Sequence, residues 1–319
     1  MSPARARALA LAPEPAAAPD PPDLEIVIVS AAGGRDVLRA CLRSLEKHPP
    51  SAGAARVWLV DNASADGTVE MVAADFPWVS LIALPRNAGF CAANNLVLAR
   101  TTAPRVLLLN PDTEVTAGAL DQALATLAAR GDVAVVGVRL VKPDGTFDHA
   151  AKRSFPTLVG ALGHFTGIGR SGPLAARFGQ YRAPAVDEHG QGAVDAVNGA
   201  FMLIRREAME EVGVLDEAYR MYGEDLDWCY RFKRSGWTVF YDGHASVVHV
   251  KGAMSVLQRG RGRHRGLRTN VAFHRAMGRF YRKFHGGSRP LVDLLVYTAL
   301  GLKLGLSVLR GTVARRGLR

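Results

Sequence analysis

The chain has 319 residues, 48% hydrophobic and 22% charged, a balance that supports one large core or two small ones and places it among globular proteins. The formal net charge of +11 is unevenly spread: residues 251 to 319 hold sixteen Lys and Arg against the single acid Asp293, a balance of +15 that leaves −4 for the first 250 residues. A basic block confined to one end points to anionic lipid or polyphosphate; it lacks the aromatic interleaving and zinc-ligand spacing of nucleic-acid modules, so no nucleic-acid partner is expected.

Residues 1–22 are mostly Ala, Pro and Arg and read as a disordered leader. Its apolar run, Ala8 to Ala12, stops at Pro13-Glu14-Pro15 and is too short for a secretory segment, so the catalytic part is expected in the cytoplasm. Cys41, Cys91 and Cys229 are isolated thiols in helical segments and read as reduced core residues.

Leu24 to Ser30 reads as a buried strand, followed by a helix whose Val37, Leu38, Cys41, Leu42 and Leu45 share one face. Strands are predicted at Val57–Val60, Val79–Leu84, Arg105–Leu109 and Val133–Leu140, and helices from Asp66 and over Phe90–Arg100. This alternation predicts an α/β fold, an open and mainly parallel sheet with helices on both faces, which binds ligands beyond the carboxyl ends of its strands. Pro143-Asp144-Gly145 marks a hairpin turn, and residues 154–193, rich in Gly and Pro, read as a mobile loop over the site or a passive connection. Then come a strand over Val197–Ile204, helices over Arg206–Val212 and Leu226–Lys233, and a pair of strands, Trp237–Tyr241 and Ala245–Val250.

Polar motifs occupy the strand ends: Asp61-Asn62 with Ala63 to Gly67, Arg86-Asn87-Ala88-Gly89-Phe90, and Asn110-Pro111-Asp112. Each alone is an ordinary turn; together they line one sheet edge with acids, amides and a guanidinium, which suits a nucleoside diphosphate. Asp61 can accept from ribose or base, Arg86 can neutralise phosphate, and Asp112 can hold a divalent ion. The first loop, Ser30 to Gly34, lacks the dinucleotide glycine spacing, which disfavours a dehydrogenase.

Tyr222-Gly223-Glu224-Asp225 is a glycine-freed turn with two acids at a helix start. Unpaired N–H groups there would keep the carboxylates ionised and aimed outward, a posture for a general base; the plain alternative is an acidic first turn with Asp227 and Arg231 paired on the exposed face. A helix N-terminus also lowers basicity, so Glu224 would either raise the basicity of Asp225 by repulsion or serve as the base itself.

These strings resemble the family-2 inverting glycosyltransferases of the GT-A fold, especially the rhamnosyltransferase-like branch. The resemblance rests on Val60 to Ser64, Arg86 to Phe90 with Ala93-Asn94-Asn95, Asn110 to Asp112, Asn198 to Met202, Met221 to Asp227 and Val248-His249, in the family's order over about 230 residues. It implies a GT-A catalytic domain over about 23–255, with a nucleotide-binding half to about 140 and an acceptor half beyond. It implies that Asp61, Asn62, Arg86, Asn87, Gly89, Asn94 and Asn110 bind a dTDP- or UDP-sugar, and that Asn198, Gly199 and Trp228 bind the acceptor. Asp112 and His249 would ligate Mg²⁺ or Mn²⁺, and Asp225, beside Glu224, would deprotonate the acceptor hydroxyl of a polyprenyl-linked or polysaccharide chain. From the residues alone, His249 reads equally as a core histidine closing a strand. Two departures stand out: Ser30-Ala31-Ala32-Gly33 replaces the usual Tyr-Asn type loop, and Asn110 replaces the first of two aspartates. They prompt the alternative of a non-catalytic sugar-nucleotide or lipid-binding protein on the same fold.

Residues 256–319 form a basic tail. Phe273, Met277, Phe280, Tyr281 and Phe284 recur at helical spacing, and in the apolar run Leu291–Leu309 the polar Asp293, Lys303, Ser307 and Arg310 gather in an arc of roughly 100 degrees shared with Val296 and Leu300. This predicts an amphipathic helix lying on an anionic membrane surface and a peripheral protein at its inner face; packing on the catalytic domain, or on a second copy as a homo-oligomer, is the alternative.

Overall fold

The computed structural model describes residues 22–31, 33–155, 183, 185–220, 222–250, 267–287 and 290–316. Most of the predicted leader (1–21), the greater part of the Gly/Pro-rich stretch (156–182 and 184) and the basic run 251–266 lie outside the described residues.

The first half builds as its hydrophobic pattern dictates. Strand β1 (Leu24–Ser30) is buried throughout, and helix α1 (Arg35–Lys47) lays Leu38, Cys41, Leu42 and Leu45 into the core, each apolar side chain contributing about 1.5–3 kcal/mol. Strand β2 (Ala55–Asp61), helix α2 (Thr68–Asp75), strand β3 (Ser80–Ala83), helix α3 (Phe90–Leu98) and strand β4 (Arg105–Leu109) follow. Next come the short strand β5 (Thr113–Val115), helix α4 (Ala119–Ala128), and strand β6 (Val133–Val141), which turns at Pro143-Asp144-Gly145 into an antiparallel bridge between Val141 and Phe147.

The second half is more broken than its sequence suggests. Strands β7 (Lys152–Arg153) and β9 (Ala196–Val197) pair, β8 (Gln191–Val194) adds to the main sheet, and β10 (Phe201–Arg205) leads into helix α5 (Arg206–Val212). Helix α6 (Glu224–Arg234) precedes strand β11 (Thr238–His249). The predicted single strand over 197–204 is therefore interrupted at Asn198–Ala200, and the predicted pair of strands after Trp237 is one strand with a register shift between Asp242 and Ser246. Helices α7 (Leu267–Phe284) and α8 (Pro290–Arg316) complete the chain.

The main sheet runs β3-β2-β1-β4-β10-β6-β11-β5, with β8 also on β11. Strands β1, β2, β3 and β4 are parallel, as are β6 and β11; β10 lies antiparallel between β4 and β6. This arrangement sends the carboxyl ends of β1, β2, β4 and β11 to one edge, and it brings the start of β10 to that edge too.

Candidate active site

Ser30 closes β1 and Asp61 closes β2, paired in register. Asp61 is 1% exposed: its Oδ1 accepts from Ser30 Oγ (3.0 Å) and its Oδ2 from the Ser64 amide (2.9 Å). The side chain expected to contact a nucleoside thus fixes the loop. Asn62 is likewise buried and accepts from the Ala88 amide (2.7 Å), tying the loop after β2 to the loop after β3. Arg86 and Asn87 are exposed, with Asn87 accepting from the Gly89 amide, so this loop offers a cation and an amide outward. Asn94 is 1% exposed and donates back to the Phe90 carbonyl, which corrects its expected place in the donor lining. Its neighbour Asn95 instead clamps Leu215 in both directions and holds α3 against the approach to α6.

The end of β4 carries the second cluster. The Asn110 amide donates to Ala200 and its carbonyl accepts from Thr113, so the turn runs directly into β5. Because β5 pairs antiparallel with β11, with Thr113 opposite His249, Asp112 lies beside the end of β11. His249 Nε2 is 3.5 Å from Asp112 Oδ1, and its Nδ1 is 3.5 Å from Asp148 Oδ2, with all three side chains buried. Burial opposes a charge on His249, but the two aspartates outweigh it and lift its pKa to about 9. Among the described residues no group of three or more His, Cys, Asp or Glu can hold a metal, so Asp112 and His249 act at most as a pair.

The third cluster forms where the interrupted strand turns. The Asn198 amide donates to Ala151, and Asn198 Oδ1 accepts from the Ala200 amide. The Gly199 amide donates to Asp225 Oδ2 (3.2 Å), which also takes Arg153 Nη2 at 2.6 Å; Asp225 Oδ1 accepts from the Leu226 amide. The carboxylate does meet a first-turn amide, that of Leu226, as the sequence suggests, but its predicted outward aim is incorrect: Asp225 is 8% exposed and ion-paired. Glu224 contrasts with it. Its Oε2 is shut off from solvent and has no hydrogen-bond partner among the described residues, and burial, with the charge of Asp225 adding, raises its pKa to about 8. The turn before α6 is left-handed at both Tyr222 (φ 69°) and Gly223 (φ 85°); such backbone at a non-glycine residue is strained and concentrates at functional positions.

Two sequence expectations on α6 are corrected. Trp228 is fully buried, stacks near Phe232 and donates its indole N–H to Gly213, so it is core and not an acceptor contact. Asp227 does pair with Arg231 (2.8 Å), but on a buried face, where Lys283 from α7 adds a second bond at 2.7 Å. Arg153 and Asp148, which sequence reasoning passed over, touch the two clusters from one segment; the Pro143-Asp144-Gly145 turn beside them gave no hint of chemistry.

The sequence is 29% identical over 206 residues to the N-acetylglucosaminyl-diphospho-decaprenol L-rhamnosyltransferase of Mycobacterium tuberculosis, a match covering 61% of this chain and 66% of that relative. Among solved structures, the mannosyltransferase PcManGT of Pyrobaculum calidifontis, in complex with GDP-Man and Mn²⁺, superposes with a TM-score of 0.55 at 18% identity, covering 98% of this chain and 79% of its own. GalNAc-T7 with UDP, GalNAc and Mn²⁺ gives 0.54 at 16%, covering 72% and 43%. Both share the mixed, mostly parallel sheet, and the fold is GT-A. Residues 26–213 match glycosyl transferase family 2, and as that stretch runs from β1 through α5, more than half the chain, the protein belongs to that family.

Proposed function

We propose that the protein transfers a sugar, with inversion, from a nucleoside-diphosphate sugar to a polyprenyl-linked or cell-envelope saccharide at the inner face of the cell membrane. The observation that carries this reading is the Asn198–Ala200 turn, which is bonded on one side to Asn110, two residues before Asp112, and on the other to Asp225. A leaving-group site and a proton acceptor thus share one rigid support. The name of the mycobacterial relative supports rhamnose as the sugar and a lipid-diphosphate acceptor; the carrier in this reading is dTDP or UDP.

Asp61 and Asn62 fix the wall against which the nucleoside lies, and the exposed Arg86 and Asn87 meet the donor, with the Gly89 amide and Asn110 at the edge. Asp112 Oδ1 and His249 Nε2 fit a divalent ion such as Mn²⁺ or Mg²⁺: a carboxylate and an imidazole face each other in a buried site, and diphosphate oxygens and water would complete the shell. An ion held by these two residues would supply positive charge against that of the departing diphosphate. Asp225 takes the acceptor hydroxyl's proton, oriented by Arg153 and the Gly199 amide. Beside it, burial and the charge of Asp225 raise the pKa of Glu224 to about 8.

The test is release of nucleoside diphosphate from UDP-, dTDP- and GDP-sugars, with and without Mn²⁺, using membrane lipid extract as acceptor. Release from one donor that needs both metal and extract, and falls about 10²–10⁴-fold in Asp225→Asn while donor binding persists, supports the transferase. A donor that binds wild type but is never turned over would sink it in favour of a non-catalytic binding protein.

A further inference from the structure

We propose that Arg275, Arg279 and Arg282, on one face of α7, form a subsite for the diphosphate group of a lipid-linked acceptor. This rests on the proposed transferase reading and deepens it, by assigning residues to the acceptor's own phosphates.

Helix α7 turns three faces to three surroundings. Phe280 and Phe284 face the catalytic domain, where both pack on Tyr230 of α6. Tyr281 and Gly278 face α8, through the bond from Tyr281 to Asp293 (2.7 Å), the ring contact of Tyr281 with Tyr297, and Leu300 beside Gly278. The third face carries the arginines. Positions 275, 279 and 282 fall within an arc of about 60 degrees and are spread along about 10 Å of helix. Arg275 and Arg282 are exposed, and among the described residues neither has a hydrogen bond or an ion pair. Arg279 is half-buried, its Cζ 5.8 Å from the centre of the Tyr219 ring. Asp216, the acid that feels the charge of Arg279, is already bonded to Lys283 (2.7 Å) and to the Ala218 amide. Like charges on one helix face repel, and a bound polyanion turns that repulsion into attraction.

The row begins at the catalytic end of α6. Phe273 meets Tyr222, and Ala276 lies beside Gly223 at the entry to α6, whereas Phe284 lies on Tyr230 further along it, so the two helices run in the same direction. Arg275 is therefore level with the turn into Glu224 and Asp225, and Arg279 lies over the Tyr219 ring that also flanks Gly223. An acceptor that presents a sugar hydroxyl to Asp225 carries its diphosphate one ring further on, and the arginines continue from that level away from the site. Planar guanidinium forks match diphosphate oxygens two at a time. Helix α8, joined to the neighbouring face of α7, exposes Leu291, Leu294, Leu295 and Leu302. One helical hairpin thus offers both chemistries of a polyprenyl diphosphate, a dianionic head and an apolar chain.

The experiment measures binding of the full chain, without donor, to phosphatidylcholine nanodiscs that carry farnesyl diphosphate or farnesol. Wild type is expected to prefer the diphosphate by about 10–100-fold, and Arg275→Gln, Arg279→Gln and Arg282→Gln together are expected to remove that preference. If the triple variant does not fold, Arg275→Gln with Arg282→Gln, both at exposed positions, is expected to reduce the preference at least several-fold. A wild type without preference, or a folded variant that keeps it in full, overturns the subsite. Equal binding of phosphatidylglycerol at the same density of charge also overturns it, making the row a general headgroup contact. Donor turnover, followed separately by nucleoside diphosphate release, tells the two readings apart. Turnover without a diphosphate preference leaves the transferase and removes the subsite; a preference lost with the arginines, in a protein that turns over no donor, keeps the subsite and removes the transferase.

Discussion

Glu224 and Asp225 are neighbours in sequence, yet the fold gives them opposite surroundings. Three donors, from Arg153, Gly199 and Leu226, hold Asp225, whereas Glu224 keeps an enclosed oxygen without a hydrogen-bond partner among the described residues and a pKa of about 8. If the pair accepts the acceptor's proton, kcat/KM should rise with pH along a limb near 8, and Glu224→Gln should abolish that limb while leaving donor affinity within a few-fold; a pH–rate profile on the responding donor checks it. The same residues shape stability without metal. Glu224 is raised from 4.5 to about 8 in the folded chain, so folding loses its contribution progressively as pH climbs between those values. His249 is raised from 6.5 to about 9, and the stability it adds is complete below 6.5 and lost as pH passes through 9. Both effects have one sign, so the metal-free protein should melt at a steadily lower temperature from pH 6.5 to 9; a melting point that rises over this range would contradict both placements. The sequence showed which residues carry charge at the sheet edge, since Asp112, Asp225 and His249 sit in recognisable strings. It did not show their burial, because Arg153 and Asp148 come from a segment with no periodicity. Trp228 was misplaced even though its four-residue spacing from Phe232 is a core spacing.

At the scale of elements, function depends on how α6 is entered and braced. Gly223 adopts φ 85°, and a Cβ there would meet the Tyr219 ring at 3.1 Å and Ala276 of α7 at 3.3 Å. Gly223→Ala is therefore expected to cost about 1–3 kcal/mol in denaturant unfolding, and to lower kcat more than donor affinity because Glu224 and Asp225 follow directly. The brace is α7, whose Phe280 and Phe284 pack on Tyr230 and whose Lys283 reaches Asp216 and Asp227. Lys283→Met should destabilise by about 1–2 kcal/mol, since the fully buried Asp227 would keep only Arg231 as a cation while the partly exposed lysine was itself already screened. The catalytic domain and this part of the tail are thus one packed unit, an outcome that charge counting alone did not reveal. Strands β1, β2 and β3 were legible because each carries an apolar run followed by a helical period. Three features were not. β5 is only three residues long, β8 lies in a stretch that reads as loop, and the irregularity in β11 arises where Gly243 has Gly190 and Glu188 backbone too close for a side chain.

At the scale of the whole molecule, α8 is turned the opposite way from a helix packed on its own domain. Its acid Asp293 faces inward, accepting from Tyr281 Oη (2.7 Å) and the Gly287 amide (2.9 Å), and burial lowers the pKa of Lys303. Leu291, Leu294, Leu295 and Leu302 face outward, between 64% and 78% exposed, with Tyr297 beside them. Of the polar arc read from sequence, Asp293 thus lies toward α7 and Lys303 is partly buried, and the leucines are the side presented. Among the described residues no helix is long and apolar enough to cross a membrane, so the proposed contact is one of lying on the surface. A membrane supplies both halves of what the tail offers: a hydrocarbon boundary for the leucines and anionic headgroups for a region with a +15 balance. Each leucine moved from water into that boundary contributes about 1.5–3 kcal/mol, so changing Leu294, Leu295 and Leu302 together to Ser should weaken binding to phosphatidylglycerol vesicles by at least about 100-fold. Raising salt to about 0.5 M should remove only the charge-dependent part, because screening over a few ångströms does not act on apolar burial. A homo-oligomer through the same face predicts something different: a mass that grows with concentration in light scattering, returns to the monomer in the triple Ser variant, and is accompanied by no vesicle binding. That result would move the leucines from a lipid surface to a second copy, and it would leave the proposed lipid-linked acceptor to be met without the help of this helix.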